Sequence, residues 1–444
     1  EEIFSAAVKR VDPYEMIRSQ LSLNRDTLLI AGEREELTVD LRAFSRLIVI
    51  GAGKASAVMA RGLSEILGLR ICEGIVVVKY GHSVEVDGVE IVEAAHPVPD
   101  ENGVEAGRRI LELVRSADRD TLVVSLLSGG GSALFVAPYA DEQQSITLDE
   151  LITTNDALLA SGAPIQSVNC IRKHISQVKG GKLAREIHPA ASVNIVLSDV
   201  VGDSLDTIAS GLTAPDPTTY ADCLAIVRRY GIEGQLPLPV VALLRKGAAG
   251  VYPETVKPGD VAFSRCRNVL LGTNYAALGA ARRKAEALGY QTVVLSSQLT
   301  GEAKEIAKVY SGIAKDQAAR AVHGPRPICV IGGGETTVTI RGDGLGGRCQ
   351  ELALSYLVEV DGSDAAEHAW FLSASTDGSD GPTDAAGAFV CPETVRLCVR
   401  EAAVAALDRN DSYTYFDSLG ALLRTGPTKT NVCDIQLLIV ETTV

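Results

Sequence analysis

One pattern constrains this chain more than any other: a short β-branched run, a glycine-rich turn and a helical stretch follow one another repeatedly in both halves of the sequence. Parallel strands joined by crossover helices read this way. In the first half strands are predicted over 47–50, 74–79, 121–127 and 192–197, with a long helical region over 148–187 broken near Gly162 and Pro164. In the second half they are predicted over 268–271, 291–295, 327–331, 369–373 and 435–440, with helices over 276–288 and 302–321. A helical segment over 5–22 is assigned to neither half. The chain has 444 residues, beyond the roughly 250 to 300 at which a single core stops growing. Its most proline-rich stretch, over 236–258, supplies a boundary. The expectation is an α/β protein of two three-layer α/β/α domains: a Rossmann-like one over 1–245 with a mostly parallel sheet, and a second over 246–444.

Charge limits what such a chain can bind. The formal net charge of −14 argues against nucleic acid and against an anionic membrane, both of which need a positive field. Small anions must then be caught locally. The nine cysteines form no C-x-x-C pair, which suits buried thiols in a reducing compartment. No apolar run approaches the ~18 residues of a membrane span, and the start at Glu1 carries no basic, apolar leader. A cytoplasmic location is expected, with a few residues missing before Glu1 because no initiator methionine is present.

Four glycine loops follow predicted strands, where α/β proteins bind anions. The first, Gly51-Ala52-Gly53-Lys54, imitates a dinucleotide fingerprint but has Ser56 where the third glycine belongs. Lys54 stands at a helix start, where the dipole disfavours a cation unless an anion is also present. The second loop, Ser128-Gly129-Gly130-Gly131-Ser132, reads as a phosphate cradle. The third, Gly332-Gly333-Gly334-Glu335-Thr336, repeats the layout in the other half, so a shared cleft is expected. The fourth carries Asp377, Asp380 and Asp384, candidates for the one or two carboxylates that usually hold magnesium, with Asp203 a further one.

Asn169, Arg172, Lys173, Lys179 and Lys182 form the densest basic stretch of this acidic chain; Asn169, Arg172 and Lys173 share a helix face. Arg348 begins a helix and could grip a carboxylate or phosphate with two prongs; Glu351 follows in the same turn. Thr428 and Asn431 belong to a polar loop before the last strand. Asp199 ends a strand, a position where such enzymes place functional groups. His96-Pro97-Val98-Pro99-Asp100 reads as a rigid turn rather than a catalytic base.

Taken together, these segments resemble the glycerate 2-kinase family with its MOFRL C-terminal domain. The resemblance runs through G-A-G-K-A-S at 51–56, H-P-V-P-D at 96–100, S-G-G-G-S-A-L at 128–134, K-G-G-K-L-A at 179–184, S-D-V-V-G-D at 198–203, G-G-G-E-T-T at 332–337, G-G-R-C-Q-E at 346–351, the aspartate loop at 376–388 and T-G-P-T-K-T-N-V-C-D at 425–434. It implies ATP- and magnesium-dependent phosphorylation of D-glycerate at the 2-hydroxyl, in a cleft between the domains. Lys54 and Arg348 match the family's cleft-facing lysine and arginine. Cys349, Cys433, Leu212 and Lys429 depart from the family's usual residues.

Phosphoryl transfer asks a protein chiefly for positioning and charge neutralisation. The assignment is therefore that 128–132 and the basic wall hold phosphates, with Gly51, Gly53, Gly333, Glu335, Thr336, Glu351, Thr428 and Asn431 as further binding residues. Lys54 and Arg348 neutralise the transferring group or the glycerate carboxylate, Asp377 or Asp380 supports Mg2+, and Asp199 takes the hydroxyl proton. A homodimer is compatible with this reading. The rivals are an NAD(P)H-dependent hydroxypyruvate reductase, which lacks a ribose-binding acid at the end of the second strand, and a non-catalytic phosphosugar-binding protein, which would leave the aspartate loop unexplained.

Overall fold

The computed structural model describes residues 1–33, 35–320 and 326–441. It divides into two compact units, one of residues 13–198 with 203–271, the other of 1–12, 199–202 and 272–444.

The first unit opens with an antiparallel meander of β1 (Leu21–Asn24), β2 (Thr27–Ala31) and β3 (Glu36–Asp40), which the sequence pattern did not announce. Its main sheet contains β4 (Arg46–Ala52), β5 (Glu73–Lys79), β6 (Glu90–Ala94), β7 (Thr121–Leu127), β8 (Ala191–Leu197) and β9 (Cys266–Gly272), in the order β6-β5-β4-β7-β8-β9. The strands β4 to β8 are mutually parallel. Every residue of β7 is buried, as expected of a strand covered by helices on both faces. This is the doubly wound order, and its direction of winding reverses between β4 and β7. Ligands bind such sheets outside the carboxyl ends of the two strands at that reversal.

Helices fill the connections. The helix Glu101–Arg115 begins where Asp100 Oδ1 accepts from Gly103 N at 3.0 Å. The predicted long helical region is three helices, Leu148–Ala160, Ile165–His174 and Lys182–Ile187. Its second break runs over 175–181, where Gly180 and Gly181, at positive φ values of 63° and 78°, turn the chain into the third helix.

In the second unit the sheet order is β10 (Gln291–Val294), β11 (Ile328–Gly334), β15 (Asp434–Val440), β12 (Ala369–Ser375), β13 (Gly387–Val390) and β14 (Leu422–Leu423). Among the described residues, β10 and β11 are the strands of this sheet that pair in parallel; β15 returns between β11 and β12 antiparallel to both. The crossover pattern expected for this half therefore gives way to a mainly antiparallel sheet, because apolar periodicity marks a strand without giving its direction. The helix Arg348–Val360 is buried at nearly every position and packs on Ala303–Arg320. Tyr356 stacks on Phe371 at 4.3 Å between ring centroids, with Tyr310 at 5.1 Å from the same ring.

The division differs from the expected boundary at 245. Strand β9 lies on the edge of the first sheet, so 246–271 stay with the first unit. The N-terminal helical segment is two helices: Glu2–Arg10 packs on Asn274–Ala287, whereas Pro13–Gln20 packs on Ser56–Leu67. Among the described residues, no helix is long and apolar enough to cross a membrane.

Candidate active site

At the winding reversal of the first unit, the Gly51-Ala52-Gly53 segment is pressed against the 128–132 loop. Gly53 has φ 139°, and a Cβ there would collide with the Ser128 side chain and carbonyl. Ser128 Oγ accepts from Ala55 N at 3.1 Å and lies 3.1 Å from Ser56 Oγ. Lys54 N donates to Gly129 O at 2.9 Å and Ser56 N to Gly53 O at 3.2 Å. The amides of this turn are thus used inside the protein. Gly51, which lies in β4 against Leu126 O, Gly53 and the Ser128 hydroxyl lock two loops together rather than cradle a phosphate, which corrects their assignment as ligand-binding groups. Lys54 keeps an exposed side chain, and no carboxylate among the described residues pairs with it.

The next residues behave differently. Among the described residues, the N–H groups of Gly129, Gly130 and Ser132 have no protein acceptor. Gly130, at φ 84°, and Ser132 line a cavity of about 270 Å3 together with His96, Arg172 and Lys179. The Ser132 hydroxyl is 2.7 Å from Ser210 Oγ, which in turn donates to Asn169 Oδ1 at 3.3 Å. Asn169 therefore braces this loop from behind.

The basic stretch separates into two pairs. Lys173, only 3% exposed, is neutralised by Asp216 at 3.3 Å and Asp206 at 3.4 Å. Lys182 Nζ donates to Ser176 O at 2.6 Å and Lys173 O at 3.1 Å. Lys173 is thus held by carboxylates and Lys182 by backbone carbonyls, and neither lines the cavity, a correction to their expected role, which arises because a sequence cannot show which cations have internal partners. Arg172 and Lys179 do line the cavity. Arg172 Nε donates to Asn155 Oδ1 at 2.8 Å and Lys179 Nζ to Ser132 O at 2.7 Å, and among the described residues neither has a carboxylate partner. Burial, with the nearby Arg172 charge, pulls the Lys179 pKa down to about 7. Burial and then the charge of Lys54 lower that of His96 to about 4, so its imidazole is neutral at neutral pH.

In the second unit the glycine triplet is not a loop. Gly332, Gly333 and Gly334 complete β11, and a Cβ on them would meet the Tyr310 hydroxyl, the Asn274 side chain and the Leu299 backbone respectively. They are packing glycines, and Gly333 is removed from the phosphate-binding set. Beside them, Arg348 is gripped by Asp434 in a two-pronged contact of 2.6 and 2.9 Å and by Glu335 Oε1 at 2.6 Å. Burial pushes the Asp434 carboxyl pKa up and the Arg348 charge pulls it back. Cys433 Sγ contacts Asp199 O at 3.3 Å and Glu335 Oε2 at 3.9 Å. Asp199, Glu335, Arg348, Cys433 and Asp434 are thereby one constellation, with Asp377 at its edge.

Comparison with known proteins decides the family. A family model described as a domain of unknown function (DUF4147) matches residues 1–245, and the MOFRL family matches 328–434. The glycerate 2-kinase of Pyrococcus horikoshii is 37% identical over 98% of this chain and 95% of its own. The chain belongs to the glycerate 2-kinase family. The crystal structure of glycerate kinase from Thermotoga maritima superposes with a TM-score of 0.85 at 37% identity, covering 99% of this chain and 98% of that one. A putative hydroxypyruvate reductase of Agrobacterium vitis is 42% identical over 90% of this chain and 88% of its own.

Several other expected residues of this glycerate 2-kinase family member have structural partners. Asp380, 2% exposed, accepts from Cys349 N at 3.1 Å and Gln350 N at 2.8 Å. It caps the helix Arg348–Val360 across the chain, so both carboxylate oxygens are already engaged by backbone amides, unlike those of a magnesium ligand. Asp384 is tied to Tyr413 at 2.8 Å and to Arg424. Asp203 sits in the other unit at a turn with φ 55°. Glu351 accepts from Asn410 at 3.1 Å. Thr428 Oγ1 donates to Thr376 O at 2.6 Å, and Asn431 Oδ1 accepts from Cys433 N at 2.9 Å, so both shape their loop. Thr336 is buried with its hydroxyl unpartnered among the described residues.

Asp377 fits a magnesium ion better. Its Oδ1 accepts from Ser375 Oγ and Ser379 N, each at 2.9 Å, which orients the carboxylate and leaves Oδ2 without a protein partner among the described residues. The grouping dense enough in itself to suggest a metal, Cys170 with His174 and Cys223, offers sulfur and nitrogen donors that suit softer ions than magnesium. Residues that the sequence reading did not place in the site are Asp434, Ser210, which links Ser132 to Asn169, and His96, which it read as part of a turn; Asp434 lay within a quoted motif, but only the fold brings it to Arg348.

Proposed function

We propose that the protein is an ATP-dependent glycerate 2-kinase that moves the γ-phosphoryl group of ATP to the 2-hydroxyl of D-glycerate. The observation that carries the reading is the set of N–H groups at Gly129, Gly130 and Ser132 without an acceptor among the described residues, beside Arg172 and Lys179, which have no carboxylate partner among them, at the winding reversal of a doubly wound sheet. Those groups hold phosphate oxygens. Lys54 supplies a mobile positive charge to the transferring phosphoryl group. Arg348 uses three of its five N–H donors on carboxylates, and the remaining two take the glycerate carboxylate or a phosphate oxygen. Asp199, at the end of β8, accepts the proton of the 2-hydroxyl as the oxygen attacks. Asp377 is the residue that would hold Mg2+, which supplies charge neutralisation between phosphate oxygens.

The reductase reading meets two obstacles. The helix-start amides that would receive a dinucleotide pyrophosphate are already bonded, and β5 ends in Lys79 where a ribose-binding acid belongs. The deciding experiment incubates the purified protein with ATP, magnesium and D-glycerate and identifies the phosphorylated carbon by NMR. Phosphate on carbon 2 is expected. NADH oxidation with hydroxypyruvate, and no ADP released, would replace this reading with the reductase.

A further inference from the structure

A buried cluster in the first unit has no part in the proposed reaction. Cys170 and His174 lie one turn apart on the helix Ile165–His174, and Cys223 faces them from the helix Tyr220–Arg229. All three are at most 2% exposed. The two sulfur atoms are 3.5 Å apart, and one donor atom from each of the three residues falls within 4.8 Å of the others. A tetrahedral zinc ion, with Zn–S near 2.3 Å and Zn–N near 2.0 Å, sets such ligands about 3.6 to 3.8 Å apart. The sulfur pair is already close to that spacing.

The histidine shows which atom would bind. Nε2 lies 3.1 Å from Glu254 Oε2 and Nδ1 lies 2.8 Å from Cys170 O, so the two ring nitrogens face a carboxylate and a carbonyl. A neutral imidazole has one proton to give. The carboxylate takes it, which leaves the Nδ1 lone pair against an oxygen that donates nothing. The Cys223 thiol converges on that same carbonyl at 3.6 Å, so Nδ1 is the nitrogen turned towards the sulfur atoms. Glu254 is fixed in turn by Tyr220 N, which donates to its Oε1 at 3.1 Å. Metal-binding histidines are held this way, with the far nitrogen donating to an anchored carboxylate and the near one left basic.

We infer that Cys170 Sγ, Cys223 Sγ and His174 Nδ1 bind a zinc-like divalent ion, with Glu254 orienting the imidazole. Thiolate and imidazole donors select such an ion over magnesium. Two thiolates and a divalent cation carry no net charge, which suits a buried position. The thiols release their protons to solvent as the ion binds, and three protein ligands leave a fourth position for water. The Glu254 side chain, 35% exposed, marks the side from which ion and water enter. The ion ties the helix that carries Arg172 to the helix Tyr220–Arg229, so its role is to position and not to catalyse. The inference does not depend on the kinase reading.

The test loads the whole chain, chelator-treated and with its thiols reduced, with Co2+ and separately with Zn2+. Absorbance reads the thiolate-to-cobalt charge-transfer band, and competition with a chromophoric chelator gives the zinc affinity. The wild-type protein is expected to take up one equivalent of cobalt with that band, which an oxygen-ligated magnesium site does not produce. Cys72→Ser, at an exposed thiol, should match it. Cys223→Ser removes a ligand and should abolish the band and weaken zinc by at least ~100-fold, beyond the scale of an orienting partner. Glu254→Gln keeps all three ligands and should retain the band while weakening zinc by about 10- to 100-fold; it carries the test should Cys223→Ser fail to fold. Absence of the band in the folded wild-type protein overturns the inference. So does a band that survives Cys223→Ser, or a zinc affinity that Glu254→Gln leaves unchanged.

Discussion

The two glycine triplets share a sequence signature and little else. Gly129-Gly130-Gly131 turns out of β7 and, among the described residues, leaves the N–H groups of Gly129 and Gly130 without an acceptor beside cations that lack a carboxylate partner, whereas Gly332-Gly333-Gly334 finishes β11 and makes room for Tyr310, Asn274 and Leu299. The cations near them differ in the same sense. Arg172 and Lys179 have no carboxylate partner among the described residues, while Arg348 is held by two carboxylates. One region is built to receive an anion; the other fixes its own charge in place. Glycine is needed in both because a Cβ is excluded, but in one case the excluded space is ligand-facing backbone and in the other it is packed side chain.

The largest effect that would test this contrast is Arg348→Ala. It leaves Asp434, which is fully buried, without its counter-charge, so a stability loss of about 3–5 kcal/mol is expected, with kcat/KM down by at least ~100-fold. A thermal melt and initial rates measure both, and an unchanged melting temperature would mean that the Asp434 pair does not hold this region. Gly333→Ala comes next. Forcing a methyl group onto the buried Asn274 side chain should cost about 3 kcal/mol, while Gly130→Ala should lower the rate far more than the melting temperature. Equal thermal effects at the two glycines would erase the distinction between them.

Lys54→Ala should lower kcat/KM by at least ~100-fold and, because the side chain is exposed and has no carboxylate partner among the described residues, leave the melting temperature nearly unchanged. A near-normal rate removes Lys54 from the site. Asp377→Asn should weaken the apparent magnesium affinity by about tenfold, with part of the rate recovered by added metal; Asp380→Asn, at a buried helix cap, should instead lower the melting temperature with a magnesium midpoint like that of the wild type. The reverse pattern would exchange their roles.

The smallest effect is in pH dependence. Lys179 is charged below about pH 7, and a bound anion raises its pKa, so above that pH nucleotide binding takes up a proton. Affinity for ADP should then fall by about fivefold between pH 7 and pH 8, relative to a Lys179→Met variant in which that fall is absent. Arg172 stays protonated, His96 is already neutral, and Asp156 and Lys54 are the remaining charged groups near the cavity, so the difference between the two proteins isolates Lys179. Parallel curves would show that Lys179 does not meet the anion.

How much of this was legible beforehand varied with the kind of signal. The strands β4, β5, β7 and β8 read directly from apolar runs, and the helical break near Gly162 from glycine and proline, whereas the second break, over 175–181, did not. The meander over 21–40 was not, since its short strands bury alternate residues only partly. The direction of β12 and β15 was not either, because pairing partners far apart in sequence set it. Within the site, Lys54, Arg348 and the 128–132 loop were visible from residue type and position, but the sorting of Lys173 and Lys182 from Arg172 and Lys179 depended on Asp206, Asp216 and two carbonyls reaching the first pair and not the second.

By itself the sequence determined the α/β class, the strand-loop-helix units that place glycine and charge at strand ends, and the family to which those motifs belong, because each is carried by local periodicity and spacing. Tertiary structure decided which charges are neutralised, which glycines face open amides and which face packed side chains, and which aspartate caps a helix rather than facing solvent. Those outcomes depend on contacts between residues up to a few hundred positions apart, such as Asn274 with Val432 and Asp434 at 2.8 and 2.9 Å, and local sequence carries no record of a partner that only folding brings near.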